Sequence, residues 1–231
     1  MSLAGAMGLI TARSQVLRFE DEIAIVVERH DRRWTGTGFL RVHLEDICQA
    51  LGLAPTLKYE NEGGPGARAV VTLLRSVSGR PEEDVHRFVD AMAFHWLIAG
   101  TDAHARDYSL LIGAAGRGRL APVYDIAGAP PYGNLDPQRL KLAMKIGGEY
   151  RLRDVGVRQW RKSAVELGLD PDRVLARVAE LAGMISGHMA EVRLRAQEDG
   201  LDHPLAGLLA DAITARARHC AGMLAESARR G

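Results

Sequence analysis

Four polar side chains crowd into six consecutive positions of this chain: Asp102, His104, Arg106 and Asp107, within Thr101-Asp102-Ala103-His104-Ala105-Arg106-Asp107. An apolar stretch precedes the run, and Tyr108 to Ile112 follows it. A further acid, Asp125, stands in Tyr124-Asp125-Ile126. It joins the cluster if the two apolar runs around Gly113 to Arg119 pair as a hairpin, because a hairpin sets the start of one strand beside the end of the other. Asp107 and Asp125 would then face each other. Two carboxylates at one spot repel unless a cation or proton intervenes, and hard oxygen ligands in an open site suit Mg²⁺. Asp102, five residues ahead of Asp107, sits on the same loop as a possible general base. The competing reading is that these acids only cap turns, a common use of Asp. It is weaker for three acids on one helix–loop–strand–turn–strand unit than for any one of them. By the same reasoning His104 reads as a structural hydrogen-bonder.

Around these residues the pattern is of short hairpins followed by helices. Val16, Leu17 and Phe19, the polar turn Glu20-Asp21-Glu22, then Ile23, Ile25, Val26 and Val27 predict a hairpin. The second strand leaves through Glu28-Arg29-His30-Asp31-Arg32, and Thr35-Gly36-Thr37-Gly38 is a second turn. Beyond it the chain reads as mainly helical. The spacing of Leu44, Ile47, Cys48 and Leu51 predicts a short helix over 43–53. Asn61 to Gly66 is an irregular loop. The clearest helix runs from Pro81 to about Ala99, with Pro at its first position, Glu82 and Glu83 at its positive end, and Val85, Phe88, Val89, Met92 and Trp96 on one stripe. Leu120 to Ile126 and Leu142 to Ile146 read as strands, with a proline-rich loop at Pro130 and Pro131 between them. Val157–Leu167, Pro171 to about Arg195 behind an Asp170 cap, and Pro204 to about Arg229 read as the closing helices.

Composition narrows the classes. The 231 residues are 47% hydrophobic and 26% charged, which excludes a disordered or fibrous chain. Thirty basic and 29 acidic side chains leave a net charge of +1, so no polybasic field is available for non-specific nucleic-acid or membrane binding. Cys48 and Cys220 lie far apart, the pattern of reduced thiols. No apolar run approaches the ~20 residues of a membrane span, and Met1 to Met7 lack the basic start of a signal peptide. The expectation is a cytoplasmic protein. Lysine is scarce: Lys58, Lys141, Lys145 and Lys162 are the four, and none precedes Lys58.

The catalytic segment resembles that of protein-kinase-like folds, where an Asp accepts the substrate hydroxyl proton, a residue five positions on holds metal, and a second Asp beyond a short hairpin holds metal too. With His104 two residues past Asp102 instead of Lys, the loop looks like those of atypical kinases and aminoglycoside phosphotransferases. More narrowly the chain resembles the HipA family of bacterial toxin kinases. The matching stretches are Val26 to Trp34, Glu45-Asp46-Ile47-Cys48-Gln49, Lys58-Tyr59-Glu60 with Gly63-Gly64-Pro65-Gly66, Thr101 to Asp107, Tyr124-Asp125-Ile126 and Leu140-Lys141-Leu142-Ala143-Met144. They fall in order from about residue 8 to 195. The resemblance implies a mainly α, α+β kinase-like fold: residues 1–39 as an N-lobe remnant hairpin and hinge, residues 40–231 as the helical C-lobe. It implies Asp102 as catalytic base and Asp107 and Asp125 as Mg²⁺ ligands. It also implies a hinge at Glu28, Arg29 and His30 that meets adenine through its backbone, with His104, Ala105, Arg106, Asp107, Tyr124 and Asp125 lining the ATP site.

Two departures stand out. Arg106-Asp107 replaces the family's usual Lys-Asn, which keeps an oxygen ligand but adds negative charge beside ATP. No lysine or phosphate-cradling glycine motif precedes Glu28, so the expectation is a C-lobe with the last hairpin of an N-lobe. The implied function is an ATP- and Mg²⁺-dependent serine/threonine kinase, the toxin of a toxin–antitoxin pair. Its implied partners are a HipB-like helix-turn-helix antitoxin and a protein substrate such as an aminoacyl-tRNA synthetase, with nucleic acid reached only through the antitoxin and no membrane. The alternatives are a non-catalytic antitoxin-binding or self-association module and a small-molecule phosphotransferase.

Overall fold

The computed structural model describes residues 1–113, 116–129, 136, 138–201 and 203–228. Helix α1 (Ser2–Ala6) is followed by five short strands: β1 (Ser14–Phe19), β2 (Glu22–Val27), β3 (Arg32–Trp34), β4 (Phe39–Arg41) and β5 (His43–Asp46). Then come α2 (Ile47–Ala50), α3 (Ala67–Val77) and α4 (Pro81–Leu97), the strands β6 (Ser109–Ile112), β7 (Gly118–Leu120), β8 (Lys141–Ile146) and β9 (Glu149–Arg151), and finally α5 (Val157–Glu166), α6 (Pro171–Glu198) and α7 (Pro204–Ala228).

Helix α4 is the axis of the core. Pro81 starts it and Glu82, Glu83 and Asp84 fill its first turn, where carboxylates meet the positive end of the helix dipole. The stripe Val85, Phe88, Val89, Met92 and Trp96 is buried, and so are Ala91, Phe94, His95 and Leu97 around the other side. A helix buried all round needs neighbours on every face. Helix α6 supplies one: Asp170 caps it by accepting from Arg173 N at 2.8 Å, its Val174, Val178, Leu181 and Ile185 are buried, and Arg177 grips Asp90 of α4 with Nη2 at 2.8 Å. Helix α7 closes another, Arg216 donating twice to the Trp96 carbonyl at 3.0 and 2.8 Å. Trp160 of α5 meets Trp96 edge-on at 5.7 Å. Each large apolar side chain sunk here contributes roughly 1.5–3 kcal/mol, so the helical body carries its own stability. Helix α1 packs on α6, with Leu3, Ala4 and Met7 in the same core.

The hairpin of β1 and β2 forms as its alternation predicts, with Phe19 opposite Glu22, and β3 pairs with β4 around Thr35–Gly38. The apolar side chains of both ribbons are open to solvent: Ile25 is 66% and Phe39 72% exposed. A three-stranded antiparallel sheet runs β5-β6-β7, and β8 pairs with β9. The family-like α+β architecture is therefore what folds: short antiparallel strands on a helical body.

Several boundaries differ from the periodicity. Residues 43–53 are not one helix, and the chain after Gly38 is not yet helical, because β4 and β5 intervene. His43 to Asp46 pair with Ser109 to Ile112, and Asp46 then caps α2, its Oδ1 accepting from Gln49 N at 2.8 Å while Gln49 Oε1 accepts from Asp46 N at 3.0 Å. Sheet pairing thus overrides a weak helical pattern. The strand expected over 120–126 lies earlier, at Gly118–Leu120, and continues only as a bridge at Val123. Helices α1 and α3 were not apparent from the pattern. The loop at Pro130 and Pro131 and the end of the last helix at Arg229 lie outside the described residues. Cys48 and Cys220 are buried free thiols, and among the described residues no helix is long and apolar enough to cross a membrane.

Candidate active site

The loop that follows α4 begins at Gly100, where any Cβ would stand 2.6 Å from His95 Nδ1 and 3.2 Å from the Ala127 carbonyl. Only glycine lets the chain leave the helix against that ring. The loop closes in a 3-10 turn over Ala105–Asp107. Asp107 is buried and its Oδ2 accepts from His104 N at 2.9 Å. The His104 ring nitrogen Nδ1 also lies 2.7 Å from that oxygen, off the line an N–H would take, so it is a close approach and not a hydrogen bond. Asp107 thus does cap its turn, as the structural reading of the acids held, and His104 serves the loop through its backbone N–H. Ala105 is buried and donates its N–H to the Lys58 carbonyl at 3.2 Å. Asp102 is exposed at the mouth of the loop, and the Tyr59 hydroxyl donates to its Oδ1.

The hairpin anticipated around Gly113 to Arg119 is present: Leu110 lies opposite Leu120, and Ala121 N donates to the Ser109 carbonyl at 2.8 Å. The Tyr124 hydroxyl donates to the Arg106 carbonyl at 2.8 Å and receives the Ser109 hydroxyl at 2.6 Å, which pins the outgoing strand to the loop. Asp125 follows in the left-handed region at φ 51°. For an unstrained L-residue that costs of order 1–2 kcal/mol, and such residues gather at functional sites. Burial pushes the Asp107 carboxyl up to about 7; the bond from His104 N opposes the rise, and the charges of Asp125 and then Asp102 add to it. The three acids therefore share one electrostatic field.

Among the described residues no group of three or more His, Cys, Asp or Glu side chains is placed to hold a metal by itself. A buried carboxyl whose proton affinity is raised by the charge of a neighbouring carboxylate fits a cation that takes its remaining ligands from a phosphate-bearing substrate, which is how Mg²⁺ is usually bound.

At the exit of β2, Glu28 N donates to the Arg13 carbonyl at 2.9 Å. Arg29 turns back to clasp buried Asp31 through Nε and Nη2, both at 2.7 Å, and Arg32 joins at 2.8 Å. His30 stacks 5.6 Å from Tyr124, with its Nε2 buried and without a partner among the described residues. The exit of β2 and the loop after α4 are therefore joined through His30, Tyr124 and Arg106, while the side chains of Glu28 and Arg29 stay on the outside. Arg106 reaches Asp46 at 3.3 Å. Sequence reasoning gave no role to Tyr59, Asp46 or Ser109. The one available signal was Lys58-Tyr59-Glu60 running into a glycine-rich loop.

The model of the HipA-like C-terminal domain matches residues 1–189. The chain belongs to that family. Among HipA-like relatives, the Sinorhizobium fredii protein Y4mE is 34% identical over 219 residues, 94% of this chain and 51% of its own length. The serine/threonine-protein kinase toxin HipA of Shewanella oneidensis is 30% identical over 206 residues, 84% of this chain and 47% of its own. The chain spans about half the length of these curated relatives. In three dimensions it superimposes on a chain of the Shewanella oneidensis complex of HipA, HipB and operator DNA with a TM-score of 0.83 at 23% identity, covering 98% of this chain and 55% of that one. The Helicobacter pylori proinflammatory kinase CtkA gives 0.58 at 11% identity, covering 99% and 84%. The fold is that of HipA-like kinases.

Proposed function

We propose that this chain carries the catalytic loop and metal-binding acids of a HipA-like serine/threonine protein kinase. What supports the reading is that the charges of Asp125 and Asp102 both act on Asp107, with Asp107 buried and Asp125 held in a left-handed backbone. Asp102, exposed at the loop mouth, accepts the proton of the attacking hydroxyl. Asp107 and Asp125 would hold Mg²⁺, which when bound neutralises phosphate charge. The backbone at Glu28, Arg29 and His30 meets the adenine of ATP, with Tyr124, His104, Ala105 and Arg106 closing the site beneath it. Residues 1–39 then supply the hinge and last hairpin of an N-lobe, and 40–231 the helical lobe. Since the relatives are about twice as long, the open apolar faces of the β1–β2 and β3–β4 ribbons fit a surface that further chain covers.

The same reading gives the whole protein a HipB-like helix-turn-helix antitoxin as partner, supported by the HipA–HipB–DNA complex of its structural neighbour. Nucleic acid is reached through that antitoxin. A translation protein such as an aminoacyl-tRNA synthetase is the substrate class and the cytoplasm the site of action. The test is phosphoryl transfer from ATP by the full gene product and by Asp102→Asn. Loss of the base should lower the rate by about 10²–10⁴ with the thermal unfolding midpoint unchanged. Full activity in the variant removes Asp102 from the mechanism.

A further inference from the structure

Lys58-Tyr59-Glu60 and the glycine-rich loop after it take no part in the mechanism above, yet the structure fastens them tightly to it. The Glu60 carboxylate accepts from Lys145 N on β8 at 2.7 Å. Behind the segment, a Cβ on Gly64 would stand 2.5 Å from the Leu57 carbonyl oxygen and 2.7 Å from that of Tyr59, and one on Gly66 would stand 2.5 Å from the Glu60 carboxylate carbon. At Gly64, which meets backbone carbonyls, only glycine allows the loop to close so near. In front, the Lys58 carbonyl takes the N–H of Ala105 at 3.2 Å, and the His104 ring meets the Tyr59 ring edge-on at 5.1 Å. The Tyr59 backbone is thus held by the glycine loop while its ring meets the loop that carries His104, with its hydroxyl on Asp102 Oδ1.

We infer that Tyr59 is a positioning residue for phosphoryl transfer, one that holds the Asp102 carboxylate in a single orientation by hydrogen-bonding one oxygen and leaving the other for the substrate hydroxyl. The inference rests on the kinase reading of the site. Asp102 needs such help: it lies on an exposed loop, and among the described residues its side chain has no other hydrogen-bond donor. A free carboxylate there would sample several rotamers, only some of them productive. The phenol is a dependable donor because the bond to Asp102, with burial and the nearby acids, pushes its pKa up to about 12. The Lys58 ammonium lies over the ring face at 5.0 Å, an attraction that further steadies the ring.

The test uses the full gene product as four proteins: parent, Tyr59→Phe, Tyr59→His and Asp102→Asn. Tyr59→Phe removes one oxygen and keeps the ring that meets His104 edge-on. It should lower kcat roughly 10- to 100-fold, the loss expected from slight misplacement of a reacting group, while KM for ATP and the unfolding midpoint stay at parental values. Tyr59→His, whose ring can still donate, should recover part of the lost kcat. Parental kcat in Tyr59→Phe, with Asp102→Asn inactive, overturns the positioning role and leaves the kinase reading intact. A fall in kcat matched by a fall in the unfolding midpoint also overturns it, since that is a merely structural tether. Full activity in Asp102→Asn overturns both.

Discussion

His95 is the sharpest place to test the core beneath the active loop. It sits in the last turn of α4, buried, with its Nδ1 lacking a partner among the described residues. Tyr108 stands edge-on at 6.4 Å and the start of the loop after α4 presses on the ring at Gly100. Burial pushes its pKa from 6.5 down to about 4, the N-terminal ammonium adding a little. The unfolded chain therefore takes up a proton near pH 6.5 that the folded chain refuses until about pH 4. Stability due to this group is whole above pH 6.5 and is lost as pH falls through that window. At about 1.4 kcal/mol per pH unit the full difference is about 3 kcal/mol, most of it reached by pH 4.5. His95→Leu abolishes the titration and alters packing by an amount independent of pH. Urea unfolding of both proteins at intervals from pH 7.5 to 4.5 should show the parent losing about 2–3 kcal/mol more than the variant over that range. His30 and His104 are also lowered by burial, and Asp107 is raised, but all three stay in both proteins and cancel. Parallel curves for parent and variant would refute the assignment.

Asp84 has no exposed surface and collects Ser78 Oγ at 2.6 Å, Arg87 Nη1 at 2.8 Å, Arg119 Nε at 2.9 Å and Leu120 N at 3.0 Å, joining the start of α4 to β7. Asp84→Ala strands these donors and should cost about 3–5 kcal/mol in urea unfolding; a loss under about 1 kcal/mol would show that water or rearrangement replaces the carboxylate. Asp107 and Asp125 should bind Mn²⁺ weakly without nucleotide, since two carboxylates leave most of the coordination shell to water and phosphate. Calorimetry on the Asp107→Ala/Asp125→Ala protein should register the loss of that binding, and an unchanged isotherm would remove the pair as a metal site.

What could be read in advance follows from how far apart the interacting residues lie. Helix α4 and its buried stripe were legible because 3.6-residue spacing, an N-terminal proline and acidic first turn are all local signals. The β1–β2 hairpin was legible for the same reason. So was the hairpin that lies between Asp107 and Asp125, because its two strands are joined by one short turn. Strand β5 was not: its partner β6 lies more than 60 residues on, and the one local signal, the Asp46–Gln49 capping box that starts α2, reads equally well as two residues inside a helix.

The bond between Tyr59 and Asp102 spans 43 residues and had no periodicity to betray it. It required a loop that no regular element could absorb, and that irregularity was itself the available clue. A segment whose glycines are forced by carbonyl contacts at Gly64, and whose tyrosine ends on a loop carboxylate, is irregular because it is fitted to its neighbours. Local rules describe elements that would form in many proteins. The residues that escape them, Asp125 in its left-handed turn, Gly100 against His95, and Tyr59 on Asp102, are set by this one tertiary arrangement. They also border the site proposed for phosphoryl transfer.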